Sequence, residues 1–150
     1  RGNVDTRLRK LREGEFDAMV IAVAGLKRLG RGEIRHEPLD ASVMLPSPAQ
    51  GSLALEIRSD RPDVARIVGA LDHAATRRCV EFERGFLGAV GGGCGSPVGA
   101  FALPRGGGVF LECFFAREGE TAGRRVRGFC ADPSRREAFV AELASQVRKA

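Results

Sequence analysis

Hydrophobic positions along this 150-residue chain follow helical spacing in some stretches and strand spacing in others. Arg1 to Val4 reads as a strand end or turn. Asp5 or Thr6 then caps a short helix with Leu8 and Leu11 on one face, and Gly14 ends it. Ala18 to Ala24 is a continuous apolar run rich in branched residues, the pattern of a buried parallel strand. Gly25 opens a short helix over 26–29 that Gly30 closes. Residues 31–45 form a connection with one short strand, 42–45. Pro46, Pro48, Gln50 and Gly51 mark a break, because paired prolines favour extended or turning backbone. Leu53 to Ile57 reads as a further strand, and Asp60 and Pro62 begin a helix with Val64, Ile67, Val68 and Leu71 on one face.

The next helix places Ala75, Cys79, Phe82 and Phe86 together, with Glu83 and Arg84 near its end. After it the period changes. Val98 to Leu103 is strand-like, and 104–108 is a turn. Val109, Leu111, Cys113 and Phe115 alternate with Phe110, Glu112 and Phe114, which is strand periodicity with little polar relief. A turn at 118–123 leads to a third strand, 124–130. Connections this short imply antiparallel hairpins. The last helix starts at Ser134 with Glu137 three residues on as a capping box, and buries Phe139, Val140, Leu143 and Val147. Short strands and helices in quick succession predict an α/β first part. Residues 74–150 predict a small α+β domain with a three-stranded antiparallel sheet packed by helices.

Composition narrows the class. A hydrophobic share of 43% and a charged share of 29% suit a globular protein with a real core. No apolar run is long enough to cross a bilayer, and no signal peptide is visible, so no membrane partner and a cytoplasmic location are expected. The net charge is +5, carried mostly by arginine. That balance is compatible with polyanions, but the chain has no Tyr or Trp to stack bases, so no nucleic-acid partner is expected. The chain begins at Arg1, which makes a fragment or a processed product the expectation.

The four cysteines are Cys79, Cys94, Cys113 and Cys130. None forms a CxxC pair, so no metal site is expected. Three of them sit among apolar neighbours in helical or strand patterns and read as core. Cys94 differs. It lies in Gly91-Gly92-Gly93-Cys94-Gly95-Ser96-Pro97, where glycines permit backbone angles and close approaches denied to other residues. A thiol there could reach into a cleft. Arg1 and Arg7 flank the first helix and Arg28 follows the apolar run. Ligands of open α/β sheets lie beyond strand ends, where guanidinium groups pair with carboxylates or phosphates.

Four blocks together carry a resemblance: RGNVDTRLRKL at 1–11, FDAMVIAVAGLKRLG at 16–30, LPSPAQGSLALEIR at 45–58, and the segment from Glu83 through GGGCGSPVGAFA to Ala102. In content, order and spacing they resemble porphobilinogen deaminase, also called hydroxymethylbilane synthase. The resemblance implies a transferase of haem and related tetrapyrrole synthesis. Such enzymes join four porphobilinogen units, with loss of ammonia, to a dipyrromethane cofactor held on a cysteine as a thioether. It implies that Cys94 is that cysteine, that Arg1, Arg7 and Gly25 face the cofactor, and that Arg28, Gln50 and Gly51 face the substrate. The chemistry is consistent, since loss of ammonia leaves an electrophilic carbon that a thiolate attacks, and the pyrrole carboxylates suit arginines.

The resemblance also implies a domain plan. Residues 1–46 would end a periplasmic-binding-protein-like α/β domain 2, 47–72 would be a hinge and a segment returning to domain 1, and 73–150 would be the cofactor-attachment domain 3. Most of domain 1, with its catalytic aspartate, would precede Arg1, so no catalytic residue is assigned within this chain. The chain alone is expected to be inactive, the missing N-terminal domain is its expected partner, and the full-length form is expected to be a monomer. At Gly91 the chain departs from the family, which more often has an acidic residue there. Two other readings compete. A non-enzymatic α/β binding module for a small polycarboxylate would give Cys94 no covalent role. A cysteine hydrolase would need a base, and neither His36 nor His73 sits in a Cys–His motif. The glycine run lacks the lysine and hydroxyl residue of a phosphate loop.

Overall fold

The computed structural model describes residues 2–93, 95–120 and 122–148. The chain packs as two compact units, Arg1–Leu39 and Asp40–Ala150. In the first, α1 (Val4–Arg12) starts two or three residues earlier than the sequence pattern suggests. Its N-cap is Asn3, whose Oδ1 accepts the Thr6 amide at 2.9 Å, not Asp5 or Thr6. Asp5 falls instead in the first turn, where a carboxylate faces the positive end of the helix dipole. Gly14, at φ +75°, follows the helix end as expected. A second helix, α2 (Val23–Arg28), is closed by Gly30 at φ +64°. Leu8 and Leu26 are buried in this unit.

Three expected strands do not form. Residues 18–22 are irregular and Val23–Ala24 belong to α2; 42–45 is a turn running into irregular chain; 53–57 is irregular. The reason is that a strand exists only through a partner. Among the described residues no strand pairs with these runs, and several of their apolar side chains stand in solvent: Val20 is 58% exposed, Val43 72% and Leu53 80%, although Leu45 is buried. The α3 helix (Pro62–Gly69) forms with Pro62 at its first position, but it buries no residue, and Leu71 lies beyond its end. Its apolar face is therefore present without a surface to pack on.

From residue 74 onward the pattern becomes structure. The α4 helix (Ala74–Ala89) precedes three strands, β1 (Val98–Arg105), β2 (Gly108–Phe115) and β3 (Arg124–Cys130). They form one antiparallel sheet in the order β1-β2-β3, with Val98 opposite Phe115 and Val109 opposite Cys130. β1 runs to Arg105, beyond the expected Leu103, and the turn tightens to Gly106-Gly107, both at positive φ. That conformation is what a two-residue hairpin turn requires. A short 3-10 turn (Pro133–Arg135) enters α5 (Arg136–Arg148). Its cap is Asp132, whose Oδ1 accepts the Ser134 amide at 2.9 Å, in place of the expected Ser134–Glu137 box. Asp132 stands one residue before the proline that fixes the first turn.

α4 and α5 cover one face of the sheet. Phe82, Phe86, Val109, Leu111 and Cys113 are the largest fully buried side chains, and Val140, Leu143 and Val147 of α5 join the same core. The other face is crossed by the segment after Asp40. Arg125 on β3 donates to the Ser42 and Ala41 carbonyls, both at 2.5 Å, and to Glu112 Oε1 at 2.8 Å. Leu45 is buried against Gly99, where an added Cβ would lie 2.8 Å from Leu45 Cβ. No helix among the described residues is long and apolar enough to cross a membrane.

Candidate functional site

The glycine loop joins α4 to β1, so its two ends are fixed by the best-packed part of the molecule. Gly91, at φ +66°, turns the chain out of the helix, with its amide on the Gly88 carbonyl at 3.0 Å. Gly92 is wedged: an added Cβ would sit 2.8 Å from Leu87 Cδ1 and 3.1 Å from Val98 Cγ2. A larger residue there would push the loop off the helix end. Gly93 and Ser96 bind each other twice, the Gly93 amide donating to Ser96 Oγ at 2.9 Å and the Ser96 amide to the Gly93 carbonyl at 3.0 Å. The Pro97 carbonyl takes the Ala116 amide at 3.1 Å, which pins the loop to the chain after β2. Arg148 donates to the Ala89 carbonyl at 2.5 Å and so satisfies one of the exposed acceptors at the α4 C-terminus. Beside the loop lies an open groove of about 380 Å³, walled by Val90, Pro97, Phe115 and Ala116, with Glu118 also lining it. Cys94 itself lies outside the described residues.

Three expected residues fall in the first unit. Arg7 donates to the Val20 carbonyl at 3.1 Å and lines a groove of about 510 Å³ with Lys10, Phe16 and Met19. Gly25 lies inside α2, not at its start, and a Cβ there would meet Val4 Cγ2 at an ordinary 3.6 Å. Arg28 is the last residue of α2 and is exposed. Arg1 lies outside the described residues. Gln50 and Gly51 belong to the second unit. Gln50 Oε1 accepts the Ser47 amide at 3.1 Å, and the Gln50 amide returns to the Ser47 carbonyl at 3.0 Å, closing a tight turn. Gly51 follows at φ +88°, a conformation that favours glycine.

One residue stands out that the pattern reading passed over. Glu83 is 8% exposed and is the one charged side chain buried among the described residues. Its Oε2 accepts the Ala49 amide at 2.7 Å and its Oε1 the Ala102 amide at 2.8 Å. Burial pushes its carboxyl above the ordinary glutamate value, and the two amide donors pull it part of the way back. Ala49 is the one non-glycine residue with a left-handed backbone among the described residues, at φ +62°. Such a conformation costs about 1–2 kcal/mol in an L-residue and persists only where neighbours enforce it. A signal for Glu83 was present. It stands four residues after Cys79 and three before Phe86, on the apolar face of α4. An acidic residue on that face needs donors. The thiols respond to the same surroundings: burial, and then the Glu83 charge, push Cys79 and Cys113 above the ordinary thiol value.

Comparison with known proteins extends these observations. Residues 1–66 match the family model described as porphobilinogen deaminase, dipyromethane cofactor binding domain. That match places the first part of the chain in a class of cofactor-binding enzyme domains. The similarity continues through both units. A porphobilinogen deaminase of Nitratidesulfovibrio vulgaris (strain DP4) is 47% identical over 149 residues, 98% of this chain and 47% of that protein. One from Roseiflexus castenholzii is 48% identical over 128 residues, 85% of this chain and 41% of that protein. One from Sorangium cellulosum is 41% identical over 152 aligned residues, 99% of this chain and 51% of that protein. The chain belongs to the porphobilinogen deaminase family, a transferase family of tetrapyrrole biosynthesis whose cofactor is dipyrromethane. It spans about half the length of the curated relatives it matches.

Proposed function

We propose that this chain is the C-terminal portion of a porphobilinogen deaminase, and that Cys94 carries the dipyrromethane cofactor as a thioether. The observation that carries the reading is identity of 47% sustained over 98% of the chain with one relative, through the first unit and the glycine loop alike. The loop supports it on physical grounds. Gly92 leaves no space for a side chain, and the Gly93–Ser96 bonds hold both flanks of position 94. The groove lined by the described loop residues offers Val90, Pro97 and Phe115 to the faces of pyrrole rings. The residues present therefore fit a covalently held bis-pyrrole.

Each residue then has a task. On attachment the Cys94 sulfur would take the place of ammonia on the aminomethyl carbon of porphobilinogen: the C–N bond breaks, the C–S bond forms, and the thiol proton leaves with the amino group as ammonia. Bound, the dipyrromethane supplies the primer to which four further porphobilinogen units are joined. Arg1 and Arg7 hold its carboxylates, with Gly25 as the point of close backbone approach, while Arg28, Gln50 and Gly51 form the wall met by the incoming unit. Guanidinium groups suit this because each pyrrole brings two carboxylates, and charge-assisted bonds to them are the strong ones.

We further propose the domain plan of 1–46 as the end of a periplasmic-binding-protein-like α/β domain 2, 47–72 as hinge and returning segment, and 73–150 as domain 3. Supporting this is the solvent exposure of the apolar side chains Leu53, Leu55, Ile67 and Leu71, large hydrophobic groups of the kind a packing partner covers. On this reading the N-terminal part of the same enzyme covers it and brings the catalytic aspartate, and the 150-residue chain alone does not turn over porphobilinogen. The test is turnover by protein expressed from the complete gene, in parallel with its Cys94→Ser variant and with the 150-residue chain. Turnover by the complete protein alone is expected. Full turnover by Cys94→Ser refutes the cysteine's role, and turnover by the short chain refutes the need for the rest.

A further inference from the structure

We propose that Glu83 is a positioning residue: its carboxylate latches the Ser47–Gln50 turn to the edge strand β1, and so holds Gln50 and Gly51 in fixed relation to the glycine loop. The role of the held turn rests on the functional reading above; the latch itself does not.

The geometry carries the inference. Among the described residues β1 is an edge strand, paired on one side only, with β2. Its unpaired edge would leave main-chain donors open. The Ala100 amide instead donates to the Pro46 carbonyl at 3.0 Å, and two residues on the Ala102 amide donates to Glu83 Oε1 at 2.8 Å. The segment entering the turn thus occupies the first rung of a fourth strand, and a side chain from α4 supplies the second. The other oxygen of that side chain reaches back to the turn, accepting the Ala49 amide at 2.7 Å. One carboxylate therefore ties together parts of the chain 34 and 19 residues away from it.

Only an acceptor at both ends fits this place, because both neighbours are N–H donors. An ionised carboxylate has that property, whereas a carboxamide would turn an NH2 group toward one of the donors. The strained backbone of Ala49, at φ +62°, lies at the point where the latch takes hold. The turn behind it is already closed by the Gln50–Ser47 pair, so holding Ala49 holds the turn as a body. At the other end, Glu83 sits in the helix whose C-terminus, at Ala89, runs into the glycine loop. The link from Gln50 through Glu83 to Gly91 passes through one hydrogen bond and about two turns of helix, anchored in the core by Phe86.

The experiment uses protein expressed from the complete gene, with Glu83→Gln and Glu83→Asp. Glutamine keeps the shape and loses one acceptor, and aspartate keeps the charge but is one methylene too short to reach both amides. Amide hydrogen exchange at Ala49 and Ala102 reads the latch, and kcat and KM for porphobilinogen read its consequence. Exchange at one of the two amides at least is expected to quicken by ~10-fold or more in each variant, as loss of a charge-assisted bond implies. KM is expected to rise by a similar factor while the Cys94 peptide keeps its modification. Unchanged exchange in Glu83→Gln overturns the latch, and so does an unprotected Ala49 amide in the parent protein, a test that holds even if a variant fails to fold. Quickened exchange with unchanged KM overturns the positioning role. Absence of turnover in the parent protein overturns the functional reading alone, and exchange then decides the latch by itself.

Discussion

The close seating of Leu45 on β1 makes a quantitative prediction for Gly99→Ala. The backbone at Gly99 needs no left-handed angle, so the substitution acts through space alone. The new Cβ would lie 2.8 Å from Leu45 Cβ, where ordinary contact begins at 3.4 Å, so the two must separate by about 0.6 Å. That displacement carries Pro46 with it and stretches the 3.0 Å bond between the Ala100 amide and the Pro46 carbonyl past useful length. The lost bond is worth ~1 kcal/mol, and overpacking of this kind costs ~1–3 kcal/mol in all, the bond included. Reduced freedom of the unfolded chain returns ~0.4–1 kcal/mol. A net loss of ~1–2 kcal/mol is expected, read as a lower urea midpoint at constant slope. Gly88→Ala is the matched control. It lies near the end of α4, is exposed, and has nothing within 4 Å of an added Cβ, so it should gain ~0.5–1 kcal/mol. A Gly99→Ala protein as stable as the parent, with its Ala100 amide still protected, would refute the reasoning.

Two further outcomes follow from the same packing. Phe86 is fully buried among the sheet and both long helices, so Phe86→Ala should cost ~3–5 kcal/mol in urea unfolding; a loss under ~1 kcal/mol would mean the core is not built as described. The raised Glu83 carboxyl gives a pH dependence. The folded protein takes up this proton before the unfolded chain does. The associated stability is therefore full below the ordinary glutamate value of about 4.3 and lost as pH rises through the higher folded value. Cys79 and Cys113 face the same charge, but both thiols are held neutral through this range. The stability of the parent minus that of Glu83→Gln should fall from acid to neutral pH, and a difference that grows instead would mean that the amide donors outweigh burial.

The sequence was most legible where an element could satisfy itself locally or through its neighbour. The Phe82 and Phe86 face, the alternation from Val109 to Phe115 and the 124–130 strand all became the expected elements, because a hairpin supplies its own partner within a few residues. Legibility failed at 18–24, 42–45 and 53–57, where apolar runs have strand character but the described chain holds no strand beside them. Composition sets a preference there, and only a partner makes the strand. Helix starts were misplaced for a related reason. Asn3 and Asp132 captured the amides of Thr6 and Ser134 before the later candidates could. At the candidate site, the glycine run and the closed turn at Ser47–Gln50 could be read from their residues. Glu83 could not be valued without knowing that two amides 53 residues apart converge on its carboxylate.

Covalent attachment of the cofactor at Cys94 is the step on which the proposed function turns. Its most direct test is the denaturing intact mass of protein expressed from the complete gene, followed by peptide mapping. An excess mass of one dipyrromethane, confined to the peptide that contains Cys94, is expected. A bare Cys94, still unmodified after incubation of the folded protein with porphobilinogen, would contradict it.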